Sequence, residues 1–268
     1  MRLDLYLVEL GLARSRNHAA QLIEAERVVV SGRPARKASQ PVVEGAEVTV
    51  LEAIDYVSRA GHKLAGALDH FASIVIQDKT CMDVGASTGG FTEVLLRRGA
   101  KRVVAIDVGH NQLVPELATN KKVLSIEGFN ARELSAETLK AKGFDVSNNP
   151  IELVVADLSF ISLTLVLEAI KSVAPNADCV LLIKPQFEVG KQSLSANGIV
   201  NDHRLRAQAI HQVVDHATEL GYGICGLEKS ELVGTHGNIE YLLWISPAAA
   251  RNQQEWDARI DSLAREKV

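Results

Sequence analysis

Asp83-Val84-Gly85-Ala86-Ser87-Thr88-Gly89-Gly90-Phe91-Thr92 forms a glycine-rich turn between an apolar run, Thr80 to Met82, and the helical spacing of Phe91, Val94 and Leu95. A strand-to-helix turn of this kind lets backbone N–H groups approach a ligand and sets it at the positive end of a helix. The spacing excludes two common uses. Glycines at 85, 89 and 90 do not make Gly-x-Gly-x-x-Gly, and no Gly-Lys-Ser/Thr follows to hold phosphates. What remains is one acid two residues before the first glycine, suited to a cationic or amino-bearing ligand, and a second, Asp107, closing the next predicted strand. An acid about 20 residues beyond the turn is placed to accept hydrogen bonds from ribose hydroxyls. That combination suits S-adenosylmethionine better than NAD. The expected cofactor residues are Asp83, Gly85, Ser87, Thr88, Gly89, Gly90, Phe91 and Asp107, with Asp157 toward the methionine end.

Ligands of open α/β sheets lie beyond the carboxyl ends of the strands, so polar residues that close apolar runs carry information. Asp157 ends Leu153-Val154-Val155-Ala156, and Lys184 ends Val180-Leu181-Leu182-Ile183 and is held extended by Pro185. Lys63 stands at the start of a predicted helix, and Glu240 lies in the last predicted strand. Singly, each has an ordinary reading as a helix cap or a solvated charge. Beside a methyl donor they are a set. Methylating an adenine amine commonly uses an Asn/Asp-Pro-Pro-aromatic turn where this chain has Asp157-Leu158-Ser159-Phe160, and methylating carbon 5 of a pyrimidine needs a cysteine nucleophile that no such turn supplies. A hydroxyl acceptor needs only its proton removed and its oxygen aimed at the methyl group, which lysines of lowered pKa and neighbouring acids can arrange.

The elements that must position these groups are legible in the spacing. Strands are predicted at Thr80 to Val84, Val103 to Asp107, Val123 to Ile126, Ile151 to Asp157, Cys179 to Lys184, Gly223 to Leu227 and Ile239 to Ile245. Helices fall between them, most clearly at Phe91 to Arg98, Leu163 to Lys171 and Asp202 to Leu220, and the alternation implies a mostly parallel sheet covered on both faces. From His62 the spacing Leu64, Ala67, Leu68, Phe71 leads into this domain. Residues 186 to 201 read as a long loop over the site, and Asn252 to Val268 as a charged, helical or frayed end. Ahead of it lies a separate basic unit. Helical spacing over Leu3, Leu5, Tyr6, Val8 and Leu10, then over Ala19, Ala20, Leu22 and Ile23 after a Ser15 cap, precedes strands at Val28 to Val30 and Glu47 to Leu51, with a turn at Glu44-Gly45. Leu51 to Tyr56 is a brief linker without glycine or proline, which divides the chain into domains at 1–56 and 57–268.

Composition narrows the class. A chain of 268 residues, 47% of them hydrophobic, can bury a large core and a small one. No apolar run reaches the roughly 20 residues that span a bilayer, and Met1-Arg2-Leu3-Asp4 does not open a signal peptide, so a cytoplasmic protein is expected. Cys81, Cys179 and Cys225 lie in apolar runs without Cys-x-x-Cys spacing, which indicates neither a disulfide framework nor a metal site. With a net charge of −4, any contact with nucleic acid must come from a local patch.

Two helices followed by a small sheet, with arginines at the second helix's N-terminus, resemble the S4 RNA-binding fold across Arg2-Leu3-Asp4, Ser15-Arg16, Ala20 to Ile23, Val28 to Gly32 and Ser39 to Val50. The resemblance marks Arg2, Arg14, Ser15, Arg16, Arg33 and Lys37, with Arg59 beyond the linker, as RNA-binding candidates. Over both domains the chain resembles the TlyA family, S4-domain ribosomal RNA 2′-O-methyltransferases once labelled haemolysins. The supporting stretches are Val57 to Leu64, Asp83 to Thr92, Asp107-Val108-Gly109, Asp157 to Leu163, Lys184 to Glu188, Gly198-Ile199-Val200 and Gly237 to Glu240. The larger domain is also similar to heat-shock RNA 2′-O-methyltransferases, whose Lys-Asp-Lys-Glu tetrad maps onto Lys63, Asp157, Lys184 and Glu240. These resemblances imply a Rossmann-like α/β methyltransferase domain behind a small α+β S4 domain. They further imply S-adenosylmethionine as donor, and as substrate a cytidine 2′-hydroxyl of 16S and/or 23S ribosomal RNA in a ribosomal subunit. The chain departs from the family at Val114-Pro115, where a Trp is frequent, and lacks the linker pattern Arg-x-Trp-Val. Two rival readings remain, the second suggested only by the family's older label. One is an RNA-binding module whose donor-binding domain does no chemistry. The other, a membrane-active haemolysin, finds no amphipathic stretch with an extended apolar face opposite a basic one.

Overall fold

The computed structural model describes all residues except 25–26, 44, 51–55, 191, 193, 196, 235–236, 251–252 and 267–268. The expected linker, apart from Tyr56, and Glu44 of the predicted turn therefore lie outside the described residues, as do Ser193, Thr235, His236 and the extreme C-terminus. The chain forms two units, Met1–Asp55 and Tyr56–Val268.

In the first unit, α1 (Leu3–Glu9) and α2 (Arg16–Glu24) pack on a three-stranded antiparallel sheet of β1 (Val28–Val30), β2 (Arg33–Pro34) and β3 (Val48–Val50), in the order β2-β1-β3. Leu3 and Leu7 of α1 and Ala19, Leu22 and Ile23 of α2 meet Val28 and Ala35 in one small core. Ser15 Oγ accepts the His18 N–H at 3.2 Å, capping α2 at the predicted residue.

The second unit is built on seven strands: β4 (Thr80–Val84), β5 (Arg102–Ile106), β6 (Val123–Ile126), β7 (Leu153–Ala156), β8 (Asp178–Ile183), β9 (Gly223–Lys229) and β10 (Tyr241–Ser246). Their order is β6-β5-β4-β7-β8-β10-β9. The first five are parallel, whereas β10 enters antiparallel between β8 and β9. Alternate residues of the central strands serve two cores. Cys179, Leu181 and Ile183 of β8 join Val166, Ile210 and Ile260 from α7 (Thr164–Val173), α9 (His203–Glu219) and α10 (Gln253–Arg265). Val180 and Leu182 face Leu64, Leu68, Val94 and Leu95 from α3 (Arg59–His70) and α4 (Gly90–Arg97). Both faces are therefore covered, as near-continuous apolar strands demand. The short helices α5 (Pro115–Ala118), α6 (Ala136–Ala141) and α8 (Pro185–Glu188) complete the unit.

Three local readings change. The region expected to be loop from 186 begins as α8, because Pro185 supplies a preset first helical residue. Lys63 sits a full turn inside α3 rather than at its start, since Gly61 is kept within the helix to let it approach α4. Glu240 stands just before β10 rather than within it, although its carbonyl still accepts the Ser230 N–H at 2.9 Å.

The crossing of α3 and α4 is set by Gly61 and Gly90. A Cβ on Gly90 would run into Ser58 Oγ and the Gly61 backbone nitrogen, and one on Gly61 would run into Tyr56 and approach the Gly90 carbonyl at 3.1 Å. Gly90→Ala is expected to cost about 1–3 kcal/mol of folding stability by overpacking this seam. Denaturant titration measures it, and a variant as stable as the parent contradicts the close-contact reading.

Candidate active site

Four parallel strands end side by side, and each is followed at once by a polar or glycine residue. Gly85 follows β4, Asp107 follows β5, Asp157 follows β7 and Lys184 follows β8. Glu240 joins the same edge because β10 runs the other way. Its partner register, Tyr241 opposite Ile183, places Glu240 level with Lys184. Lys63 reaches this edge from α3 and pairs with Glu240 Oε2.

Two ion pairs result. Lys184 Nζ lies 2.6 Å from Asp157 Oδ1 and donates to Ser159 Oγ at 2.9 Å. The side chains of Lys63 and Glu240 are 10% and 2% exposed, and those of Lys184 and Asp157 11% and 14%, so neither pair is a solvated surface bridge. Taking each charge from water costs several kcal/mol, which only close pairing and further hydrogen bonds offset.

The turn after β4 gives three residues left-handed backbone, Gly85 (φ +90°), Ser87 (φ +47°) and Gly89 (φ +101°). Its glycines serve packing as much as access: a Cβ on Gly85 would strike the Asp157 carbonyl, and one on Gly89 would strike Leu113 and Leu117. Ser87 is exposed and Thr88 half-buried, so the solvent-facing surface of the turn is theirs together with the edge of Gly85. Asp107 Oδ2 accepts the Ser87 N–H at 2.8 Å and its Oδ1 accepts the Gly109 N–H at 2.7 Å. These bonds aim a half-buried carboxylate that keeps lone pairs for hydroxyl donors. Exposed Val108 adjoins it. Glu127 fixes the following loop by accepting the N–H groups of Asn111, Gln112 and Leu113 at 2.7, 2.9 and 3.2 Å. These bonds, that from Gln112 foremost, hold its carboxyl below the usual value.

Asp83 and Phe91 are placed otherwise than expected. Both are buried, at 0% and 2% exposure, and offer a ligand no surface. Asp83 Oδ2 accepts the Thr92 hydroxyl at 2.6 Å, tying β4 to α4, while its Oδ1 has no hydrogen-bond partner. Burial pushes the Asp83 carboxyl up to about 7, and the nearby Asp157 and Asp107 add to the rise. Asp107 at the rim of the turn, with lone pairs left for hydroxyl donors, and an α4 N-terminus capped by no side chain are together suited to a ligand that carries ribose hydroxyls and an anionic carboxylate. The residues present therefore fit S-adenosylmethionine.

The sequence carried other site residues only as members of motifs. Phe160 is 91% exposed, holds φ +65° and packs its ring 5.2 Å from that of Phe187. A bulky residue in left-handed backbone is held there against strain, and here the strain presents an aromatic face to solvent just past Asp157. Glu188 is buried and accepts the Ser162 hydroxyl at 2.5 Å and the Leu163 N–H at 3.0 Å, which ties the Asp157 loop to α8. Asn238 joins the segments on either side of the site, accepting the Val200 N–H and donating to the Gly198 carbonyl, each at 3.1 Å. For Glu188 and Asn238 the only sequence signal was a polar residue at a fixed place in a proline-started or glycine-rich stretch.

Of the RNA-binding candidates, Arg2, Arg14, Ser15, Arg16, Arg33 and Lys37 are all exposed on the first unit. Arg2 and Arg16 meet at Asp4. Lys37 lies on the segment whose Ala38 and Gln40 carbonyls accept the Asp4 and Leu3 N–H groups, whereas Arg33 lies apart on β2. Arg59 is exposed one turn before Lys63 on α3, and it donates to the Val233 carbonyl at 3.3 Å. Among the described residues no group of three or more His, Cys, Asp or Glu forms a metal site, and no helix is long and apolar enough to cross a membrane.

Residues 56–246 match the FtsJ-like methyltransferase family and residues 1–48 match the S4 domain. The chain is 47% identical to the 16S/23S rRNA (cytidine-2′-O)-methyltransferase TlyA of Mycobacterium tuberculosis, over 91% of this chain and 89% of the relative. It is 34% identical to the 23S rRNA (cytidine-2′-O)-methyltransferase TlyA of Campylobacter jejuni, over 91% and 98%. A solved protein of Streptococcus thermophilus that carries a provisional haemolysin name superposes with a TM-score of 0.74 at 33% identity, covering 98% of this chain and 94% of that one.

The buried acid yields a pH test. With its folded pKa raised above the ordinary 3.8, Asp83 contributes stability that is fully present below that value and lost as pH rises through about 7. The melting temperature of Asp83→Asn, relative to the parent, is therefore expected to rise between pH 4 and pH 8. A difference that does not change with pH contradicts the assignment.

Proposed function

Because the chain belongs to the TlyA family of S4-domain, FtsJ-like ribosomal RNA 2′-O-methyltransferases, we propose that it methylates a ribose 2′-hydroxyl, that of a cytidine, in ribosomal RNA. The observation that carries this reading is the pair of buried lysine–carboxylate contacts at the carboxyl edge of the sheet, beside the glycine turn. S-adenosylmethionine, when bound, supplies an electrophilic methyl group on a sulfonium. Gly85, Ser87, Thr88 and Gly89 shape its cradle with Gly90 packed behind, and Asp107 takes the ribose hydroxyls. Asp83 and Phe91 support the turn from beneath.

Lys184 is the residue for the acceptor. Its Nζ donates to Ser159 Oγ and lies 2.6 Å from Asp157 Oδ1, which fixes the nitrogen for a contact with the 2′-hydroxyl. Holding that oxygen in line with the methyl group converts a bimolecular encounter into a positioned one. The 2′-hydroxyl proton would pass to Nζ of Lys184 as the free amine, with Asp157 beside it to balance the ammonium that results, and the freed oxygen would take the methyl group that the donor supplies. Lys63 and Glu240 stand at the same sheet edge and balance each other's charge there. Phe160 offers a face on which a base can stack, and aromatic faces accept any base.

Exposed Arg2, Arg14, Ser15, Arg16, Arg33 and Lys37 give the first unit donors for the phosphates of structured RNA, and Arg59 adds one a turn before Lys63 on α3. On this reading the substrate is ribosomal RNA within a 16S- or 23S-containing subunit, and the cytoplasm is where the enzyme would meet it.

Lys184→Ala is expected to lower methyl transfer to unmodified ribosomal subunits at least about a hundredfold, the usual scale for a lost acid–base group. Donor affinity, read by calorimetry, should stay within about threefold. Undiminished turnover removes Lys184 from the chemistry. Glu240→Ala leaves Lys63 buried without its counter-charge and should cost about 3–5 kcal/mol in denaturant titration, while Glu240→Gln costs less. Equal, small losses in both variants contradict a desolvated pair.

A further inference from the structure

Asp4 is an acid in the most basic part of the chain, and it is buried. Its side chain is 5% exposed, between Arg2 and Arg16 at 48% and 57%. Arg2 grips it with two parallel bonds, Nε to Oδ1 at 2.9 Å and Nη2 to Oδ2 at 3.0 Å. Arg16, from the first turn of α2, adds Nε and Nη2 to Oδ2 at 3.3 and 3.2 Å. The Leu5 N–H also donates to Oδ1, at 3.0 Å. The carboxylate is anchored to the fold from behind, because the Asp4 N–H donates to the Ala38 carbonyl at 3.0 Å and neighbouring Leu3 is wholly buried. Hydrogen bonding from Arg2 holds the Asp4 carboxyl down at about 2, so it stays charged at any working pH.

We infer that Asp4 belongs to the RNA-docking surface of the first unit, as a positioning residue that fixes the Arg2 and Arg16 guanidiniums as one rigid pair for backbone phosphates. The inference rests on the reading that this unit docks structured RNA. A guanidinium presents five donors in a planar fork, so one edge can be spent on Asp4 while the rest stays available to a phosphate oxygen. Two arginines locked to one carboxylate lose little further freedom on binding, whereas free surface arginines must be ordered by the ligand. Through Ala38 the same anchor holds the segment that carries Lys37.

This inference and a simple charge account predict opposite signs. By charge alone, Asp4→Asn adds one unit of positive charge and should tighten binding and steepen its salt dependence. With Asp4 as the positioner, full-length Asp4→Asn should bind unmodified ribosomal subunits about tenfold more weakly, the loss of a charge-assisted contact, with a shallower slope of log K against log salt. Arg16→Lys keeps the charge but loses the fork, and it should show a similar loss with an unchanged melting temperature. Tighter binding by Asp4→Asn, or unaltered binding by Arg16→Lys, overturns the inference. If Asp4→Asn does not fold, Arg16→Lys decides alone. A variant with Arg2, Arg14, Arg16, Arg33 and Lys37 all changed to Gln, and with its melting temperature checked, tests the underlying reading separately. Binding that survives this change in the folded variant refutes RNA docking by this unit, whereas binding lost there but kept in Arg16→Lys refutes only the role of Asp4.

Discussion

Four charges must be kept almost out of water at one edge of a sheet, and much of the second unit can be understood as what that requires. Lys184 with Asp157, and Lys63 with Glu240, are close pairs whose burial costs several kcal/mol per ion before their attraction is counted. Such pairs do not stabilise a fold by themselves. They persist where the surrounding apolar core is large enough to carry them, and here two cores, one on each face of a seven-stranded sheet, lie directly beneath.

The reversal of β10 is the topological step that completes the site. A sheet parallel throughout would leave the start of this strand at the opposite edge from Lys184. Entering antiparallel, β10 delivers Glu240 level with Lys184, where Lys63 from α3 can meet it. The loops around the pocket are then tied from the side: Glu188 joins the Asp157 loop to α8, and Asn238 joins Gly198 and Val200 to the approach to β10. The donor side uses the same device, with Asp107 holding Ser87 and Gly109, and Glu127 holding the loop after Val108. Carboxylates that accept backbone N–H groups thus fix the loops, while lysine–carboxylate pairs line the place where an acceptor would react.

What could be read in the sequence follows from what periodicity encodes. Apolar runs of four to six residues placed all seven strands of the large sheet, and the residues closing those runs, Asp107, Asp157 and Lys184, stand at the strand ends as read. Long-range pairing is not periodic. Nothing in the spacing shows that Glu240 meets Lys63, that Arg16 reaches Asp4, or that Glu188 reaches back to Ser162, because each pair joins separate elements of the chain. The glycine turn was legible as a turn, yet its glycines also make room for neighbouring protein, the Asp157 carbonyl at Gly85 and α3 at Gly90. Asp83 misled for a related reason. An acid before a glycine turn looks the same in sequence whether it faces the ligand or lies beneath the turn against Thr92.

The central claim is that the sheet edge carrying the two ion pairs accepts a ribose 2′-oxygen and not a base. Ribosomal subunits lacking the modification, incubated with the chain and a donor carrying a labelled methyl group, decide it after alkaline hydrolysis of the RNA. A 2′-O-methyl blocks cleavage of the adjoining phosphodiester, so the account predicts label in alkali-resistant dinucleotides. Label recovered in mononucleotides, on a base, would contradict it.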